Sequence, residues 1–336
     1  MSITFVGWYG RENCGDEAFK EVHRQIFPAE NLTWICDRPP GDGPQTKFVL
    51  GAGDVFLDYY LQTIPKSADF WVYGVGIGGE REFDLIVKHR ERIRGIWLRN
   101  VKDVAVLTGL GIPAMFTPDI VFNLHDQTRR WEIPPSGKFK KLYAVLSNNR
   151  YQTAHRNGSV RMVAYLDYFK HELALTLNCL AEFYDIILLP FSWDPNDYDP
   201  GFCADVFSLM TKFDRVGGDG PAVKMVREAL PPMKVLWLLR DANLILSMKF
   251  HGLVFASMLG IPFVNIGISR KNQMFCTDNG LEQLSIDDFS FSQPRLEARV
   301  KVAEDPSTIT HLKELGLVLS RQAAQAAEIF RQSILG

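Results

Sequence analysis

Along the first 125 residues, short apolar runs alternate with longer amphipathic stretches. ITFVG is followed by GDEAFKEVHRQIF, then by LTWIC, KFVLG and FWVYGVG, and EREFDLIVKHRERI precedes GIWLR. Apolar runs bounded by Gly or Pro read as strands buried on both faces, and the period-3.6 segments between them as crossover helices. Such alternation predicts an α/β, doubly wound domain with a parallel sheet.

The alternation stops at HDQTRRWEIPPSGKFKK, which is polar, has no apolar period and contains the adjacent prolines Pro134 and Pro135. It then restarts with LYAVLS, a long helical stretch over residues 160–183, YDIILLPF, a helix near residues 202–212, DRVGG, LILSMKF and PFVNIG. The expected organisation is therefore an N-terminal Rossmann-like domain over 1–125, a linker over 126–141 and a second Rossmann-like domain over 142–305. The tail, 306–336, has helix-forming composition with apolar residues three and four apart, which predicts one long helix or a pair. No internal repeat or low-complexity segment is found.

Composition changes this picture little. With 46% hydrophobic and 23% charged residues the chain is an ordinary globular protein. A formal net charge of -2 offers no excess of cations for a run of phosphates, so nucleic acid is not an expected partner. The basic clusters HRERIR and KFKK read as solvated faces. Five scattered cysteines form no C-x-x-C pair, which argues against a disulfide framework or structural zinc and for a reducing compartment. MSITFVGWYG has no signal-peptide pattern, and no apolar run reaches the length of a membrane span. A cytoplasmic location is expected, with membrane contact peripheral at most.

Five segments carry candidate chemistry. GWYGRENCGDEAF follows the first strand, where open α/β sheets bind ligands. Its glycines permit close backbone approach, Asn13 and the helix-start amides offer donors to an anion, and Asp16 either faces substrate or complements the helix dipole. VLGAGDVF and YGVGIGGE place glycines at strand ends. Arg99, ending GIWLR and followed by TPDIVF, either grips a carboxylate or phosphate or pairs with Asp103 or Asp119. SNNR, directly after LYAVL, would project Arg150 from the second domain. In LILSMKFHGLVFASMLGIPFVNI, Lys249 and His251 sit at a strand-to-helix junction before a helix too apolar to be exposed, where desolvation and a ligand charge can tune a histidine. Arg270 and Lys271 follow the next strand. No metal-ligand spacing of the H-E-x-x-H or C-x-x-C kind appears, and no metal is expected.

Taken in order, GWYGRENCGDEAF, VLGAGDVF, YGVGIGG, WLRN with TPDIVF, VLSNNR, and LSMKFHGLVFASMLGIPFVNI with Lys271 after it resemble the polysaccharide pyruvyl transferase family. The resemblance implies a fold like that of the GT-B glycosyltransferases, two Rossmann-like domains facing each other across a cleft. It implies transfer of a pyruvyl group from phosphoenolpyruvate to two hydroxyls of a sugar, giving a cyclic ketal and phosphate, with no further cofactor. On that reading His251 is the general acid, Arg150, Lys249 and Lys271 hold the donor, and Asn13, Asp16 and Arg99 complete the substrate-binding set. The acceptor is expected to be a sugar or glycan carried on a lipid or a nucleotide, faced by loops such as SWDPNDYDPGF. Where the family pattern reads Arg, any residue, His, this chain has Lys249, Phe250, His251, which keeps the charge and loses the bidentate fork. The alternatives are a GT-B-type glycosyltransferase using a nucleotide sugar and a non-catalytic glycan-binding relative.

Overall fold

A computed structural model describes residues 1–37, 46–132, 137–211, 222–267 and 269–336, with the side chains of residues 150–152, 155 and 288 outside the description. The chain forms two compact units. Unit 1 comprises Met1–Arg11, Gly15–Asp126 and Leu317–Gly336, and unit 2 comprises Glu12–Cys14 and Gln127–Gly316. Each is built on a six-stranded parallel sheet flanked by helices, two Rossmann-like units with a C-terminal helix.

In unit 1 the strands are β1 (Ser2–Val6), β2 (Asn31–Ile35), β3 (Thr46–Gly53), β4 (Phe70–Val75), β5 (Ile93–Leu98) and β6 (Met115–Phe116). Their order across the sheet, β2-β1-β3-β4-β5-β6, reverses between β1 and β3. FWVYGV of β4 is buried throughout, as expected of a central parallel strand. Because successive side chains point to opposite faces, each strand feeds two cores. Val6, Leu50, Val72, Ile96 and Leu98 join one cluster with Leu85, Ile86 and Leu107 from the helices Glu80–His89 and Val101–Gly109. On the other face, Phe5 stacks on His23 of the helix Cys14–Ile26, with ring centroids 3.7 Å apart.

The tail is a single helix, Pro306–Leu335, and its residues from Leu317 onward belong to unit 1. Phe330 lies flat on Tyr73 at 3.9 Å and meets Phe27 and Trp97 edge-on, while Ser333 accepts a hydrogen bond from the Trp71 indole at 2.9 Å. A segment that reads as an appended tail thus covers one face of the N-terminal sheet.

Unit 2 has β7 (Lys140–Val145), β8 (Tyr184–Leu188), β9 (Val223–Met225), β10 (Leu244–Ser247), β11 (Phe263–Ile266) and β12 (Ser285–Ile286). The order β12-β11-β10-β7-β8-β9 is that of a dinucleotide-binding Rossmann sheet, 3-2-1-4-5-6 counted in chain order, and reverses between β7 and β10. The expected long helix is Val160–Leu180, and the next spans Asp199–Leu209. The segment DRVGG lies outside the described residues. Within 126–141 the chain contributes most of a short helix, His125–Arg129, and the start of β7, and residues 133–136 are outside the description. The helix Phe250–Leu259 is buried almost all round and stops at Gly260, whose φ of +65° is the left-handed cap that favours glycine. Among the described residues no helix is long and apolar enough to cross a membrane.

His23 sets an acid limit on unit 1. Burial drives its pKa well below the ordinary value of 6.5, and the neighbouring charge of Arg24 adds to the shift. Its Nδ1 accepts from the Trp34 indole at 3.2 Å, so the ring is neutral with its proton on Nε2. The unfolded chain takes up this proton near pH 6.5 and the folded chain does not. Stability from this group is therefore complete above about pH 6.5 and falls as the pH drops below it. In urea titrations between pH 5 and 8, the stability of the parent relative to His23→Leu should fall on the acid side, the difference between the two isolating the histidine's contribution.

Candidate active site

In unit 1 the carboxyl ends of β1 and β3 flank the reversal of strand order. Gly7 is needed there for space, since a Cβ would stand 2.7 Å from the Gly51 carbonyl oxygen. The Tyr9 hydroxyl donates to the same carbonyl at 2.6 Å, and Glu17 accepts from Gly10 N–H at 2.6 Å, tying the loop to the first helical turn. Burial, with the charges of Asp16 and Glu17 added, raises the Tyr9 pKa far above 10.0. Asp16 is half-buried in this first turn.

Arg99 is almost fully buried, with 4% of its side chain exposed, and pairs with Asp54 and, at 3.8 Å, with Asp119. It cross-links the loops after β3 and β5. Gly76 makes room for the pair, because a Cβ there would lie 2.7 Å from Asp54 Oδ1 and from Arg99 Nη2. Of the two partners expected from sequence, Asp119 is met. Asp103 instead accepts from Ile77 N–H and the Asn100 amide.

In unit 2 the loops after β7, β8 and β10 meet at the second reversal. Lys249 is the N-cap of Phe250–Leu259, and His251 lies in the first turn rather than ahead of the helix. Ser247 fixes this junction by accepting from Lys249 N–H at 3.1 Å and donating to its carbonyl at 2.8 Å. Gly252 packs so closely on Ser247 that a Cβ would overlap Oγ and approach the Ser247 Cβ to 2.9 Å.

Lys249 is held by two carboxylates, Asp197 and, at 3.0 Å, Asp199. Asp199 is fully buried and also accepts from Asn148 N–H at 3.1 Å and Ser192 N–H at 2.8 Å. Burial pushes Asp199 up to about 7 against the pull of Lys249, and the like charge of Asp197 adds to the rise. Burial opposes the ammonium of Lys249, and the charges of Asp199 and Asp197 outweigh it, so that its pKa is raised.

Lys271 stands in the first turn of Arg270–Asp278, with Nζ 5.9 Å from the Phe250 ring centroid, and the His251 ring is 5.3 Å from the same ring. Asn13 belongs to unit 2, where it forms a β-bridge with Ser192 flanked by Cys14 N–H to Phe191 O at 2.7 Å. The side chain of Arg150 lies outside the described residues. Unit 2 thus gathers Lys249, His251, Lys271 and Asn13, while Asp16 and Arg99 sit in unit 1. Asp197 and Asp199 are additions that sequence reasoning left inside an undifferentiated acceptor loop, although three acids in SWDPNDYD directly after a buried strand were a readable signal. A cavity of about 790 Å³ in unit 2, lined by Lys140, Tyr184 and Glu304 among others, opens at the amino ends of β7 and β8, away from these loops.

Two expectations test this geometry. Gly252→Ala should cost about 1–3 kcal/mol as an overpacked contact, and Ser247→Ala in the same chain should recover part of it, a coupling that a double-mutant cycle in urea would measure. Asp199, raised from the ordinary aspartate range near 3.9, contributes stability that is complete below that value and is lost as the pH rises through about 7. Asp199→Asn should remove this loss, leaving the opposite slope from His23 to dominate between pH 5 and 7.

A sequence comparison with curated proteins gave no match. Among solved structures, UDP-GlcNAc 2-epimerase from Neisseria meningitidis, bound to UDP-GlcNAc, is 11% identical over 100% of both chains with a TM-score of 0.58. The Methanocaldococcus jannaschii UDP-GlcNAc 2-epimerase, in complex with UDP-GlcNAc and UDP, is 12% identical over 90% of this chain and 92% of its own, TM-score 0.56. A spinosyn rhamnosyltransferase complexed with thymidine diphosphate is 10% identical over 99% of each chain, TM-score 0.56. At such identities the likeness is one of fold, GT-B-like with two Rossmann-like units. The profile of the polysaccharide pyruvyl transferases matches residues 13–270, a span that holds Asn13, the Asp199 cluster and His251, and on that match the chain belongs to the polysaccharide pyruvyl transferase family.

Proposed function

We propose that this chain is a cytoplasmic enzyme that transfers a pyruvyl group from phosphoenolpyruvate to two hydroxyls of a sugar or glycan carried on a lipid or nucleotide. The observation that carries the reading is the place of His251. It stands in the first turn of a buried helix, beside the strand-order reversal of unit 2, two residues from Lys249, on a Phe250 ring that Lys271 also approaches, and within the family-matched span.

The chemistry asks for a proton at the methylene carbon of the enol. His251 supplies it, the carbon bearing phosphate gains oxocarbenium character, and one acceptor hydroxyl attacks. Phosphate then leaves and the second hydroxyl closes the ketal, each hydroxyl giving up its proton. Cations near the donor stabilise its carboxylate and the departing phosphate. Lys271 and Arg150 are assigned this role. Lys249 shares it with less net charge, because Asp197 and Asp199 already balance its ammonium. Asn13, beside Ser192, is assigned to the substrate, as are Asp16 and, through Asp54, the Arg99 pair.

A second reading, transfer from a nucleotide sugar, is favoured by the fold neighbours whose structures hold UDP-GlcNAc, UDP or thymidine diphosphate. A non-catalytic glycan-binding role is the third. One assay separates them, following product release with a panel of nucleotide-linked and lipid-linked sugars. Inorganic phosphate from phosphoenolpyruvate supports pyruvyl transfer, nucleoside diphosphate supports the second reading, and binding without turnover the third. In the first case His251→Ala should lower turnover by on the order of a hundredfold or more while much of the phosphoenolpyruvate affinity remains, since a general acid acts chiefly as the proton moves. Near-parent turnover in that variant would remove His251 from the chemistry.

A further inference from the structure

We propose that the turn 192–197, between β8 and the helix Asp199–Leu209, is the subsite that recognises the hydroxyls of a carbohydrate acceptor, with Asp194 and Asp197 accepting from them and the Trp193 indole donating. This rests on the reading of the chain as an enzyme acting on a sugar, and specifies the residues that meet the acceptor.

Four buried side-chain polar atoms of this turn have no hydrogen-bond partner among the described residues: Ser192 Oγ, Trp193 Nε1, Asp194 Oδ2 and Asp197 Oδ1. Ser192 is 0% and Asp194 1% exposed. Folded chains pair nearly all such atoms, so a run of them within six residues marks a place where another molecule supplies the partners.

The backbone of the turn is already secured. Asp199 N–H donates to Ser192 O at 3.0 Å, Asp197 N–H to Asp194 O at 2.9 Å, and Asn196 N–H to Asp194 Oδ1 at 2.6 Å. Asp194 therefore commits one oxygen to the turn and leaves the other buried without a partner among the described residues. The turn holds its shape without the four unpartnered atoms, which is the preorganisation a recognition site needs.

The donor and acceptor inventory narrows the ligand. Two ionised carboxylates accept only, an indole N–H donates only, and a serine hydroxyl does both. Neighbouring hydroxyls of a sugar ring, each donor and acceptor, satisfy all of them. A phosphate or carboxylate group would be repelled by the two acids. Trp193 and Tyr198, edge to face at 6.1 Å, add aromatic surface for the C–H face of such a ring. The position agrees, because the second oxygen of Asp197 sits on Lys249, two residues from His251. The hydroxyl-binding and anion-binding sides thus abut through one ion pair. Among the described residues no group of three or more His, Cys, Asp or Glu is arranged for a metal ion.

The test uses the full chain, with the Trp193 indole ¹⁵N resonance assigned from Trp193→Phe. Methyl β-galactoside, methyl β-glucoside and methyl N-acetyl-β-glucosaminide are titrated in, each beside its O-permethylated form. At least one glycoside should shift the Trp193 resonance while its permethylated form does not, and Asp194→Asn and Asp197→Asn should each weaken it about tenfold. Asp194→Asn retains the Oδ1 acceptor of the turn, so it serves if the other variant does not fold. No shift of Trp193, an affinity unchanged by the folded variants, or Mn²⁺ broadening that resonance with no glycoside effect would overturn the proposal. Phosphoenolpyruvate binding, followed by calorimetry on the same samples, reports separately on the donor. If it fails to bind while a glycoside shifts Trp193, the pyruvyl-transfer reading falls and the subsite stands. If it binds and no glycoside shifts Trp193, the subsite falls alone.

Discussion

The buried carboxylate of Asp199 is shared by three loops. It takes Asn148 N–H after β7, Ser192 N–H after β8 and the Lys249 ammonium after β10, and these strands are neighbours in the sheet. A fully buried charge is tolerable only when paired and hydrogen-bonded, and a loop N–H buried without a partner is costly as well. Each requirement meets the other in this one group. Without it the β8 loop would leave a buried donor and the β7 loop a half-buried one, and Lys249 would rest on Asp197 alone. The ligand-facing edge of unit 2 is thus set by an electrostatic centre, whereas the helix carrying His251 is placed by apolar burial and the close fit of Gly252 on Ser247.

Unit 1 solves the same problem with the signs exchanged. There the buried group is a cation, Arg99, and the loop after β3 supplies Asp54 while the turn at Asp119 supplies the second acid. Asp119 also accepts from Val121 N–H at 3.1 Å, so the acid that balances the charge starts the next helical turn. In both sheets the carboxyl edge is held by an ion cluster bridging loops that are distant in sequence, and in unit 1 one member reaches the surface, since Asp54 is 43% exposed.

The elements were legible where burial imposes a period. FWVYGV reads as a strand buried on both faces and FHGLVFASML as a helix too apolar to be exposed, and both are so. The parallel sheets followed from the alternation, and the segments around His251 were legible as a site because cationic and apolar residues rarely share a strand-to-helix junction without cause. What escaped depends on tertiary partners. The acids of SWDPNDYD could be noticed as a group, but nothing local singles out Asp199 among them as the one that takes two loop N–H groups and the Lys249 ammonium. Asp54 lies 45 residues from Arg99, beyond the reach of any local spacing. The spacing of the tail declares a helix but not that Phe330 stacks on Tyr73. Asn13, read as part of the first loop of the N-terminal domain, bridges to Ser192 in unit 2, a pairing that no pattern encodes.

The departure from the family's Arg, any residue, His pattern acquires a physical meaning from the cluster. A guanidinium is planar and binds one carboxylate with two parallel bonds, whereas an ammonium has three donors pointing in different directions. Two separate acids, Asp197 from the turn and Asp199 from the helix start, approach this cation, an arrangement that suits a compact point charge. With all three groups ionised the cluster carries a net charge of -1, and the rise of Asp199 to about 7 means that it holds a proton part of the time near neutrality. Its total charge then fluctuates between -1 and 0 two residues from His251. On the proposed reaction an arriving anionic donor favours the protonated cluster, because that form repels it less, and so draws a proton to the edge of the sheet where the chemistry consumes one. On the proposed reaction, lysine in place of arginine therefore changes more than the grip on a carboxylate, since two acids of the chain itself, Asp197 and Asp199, already engage the ammonium.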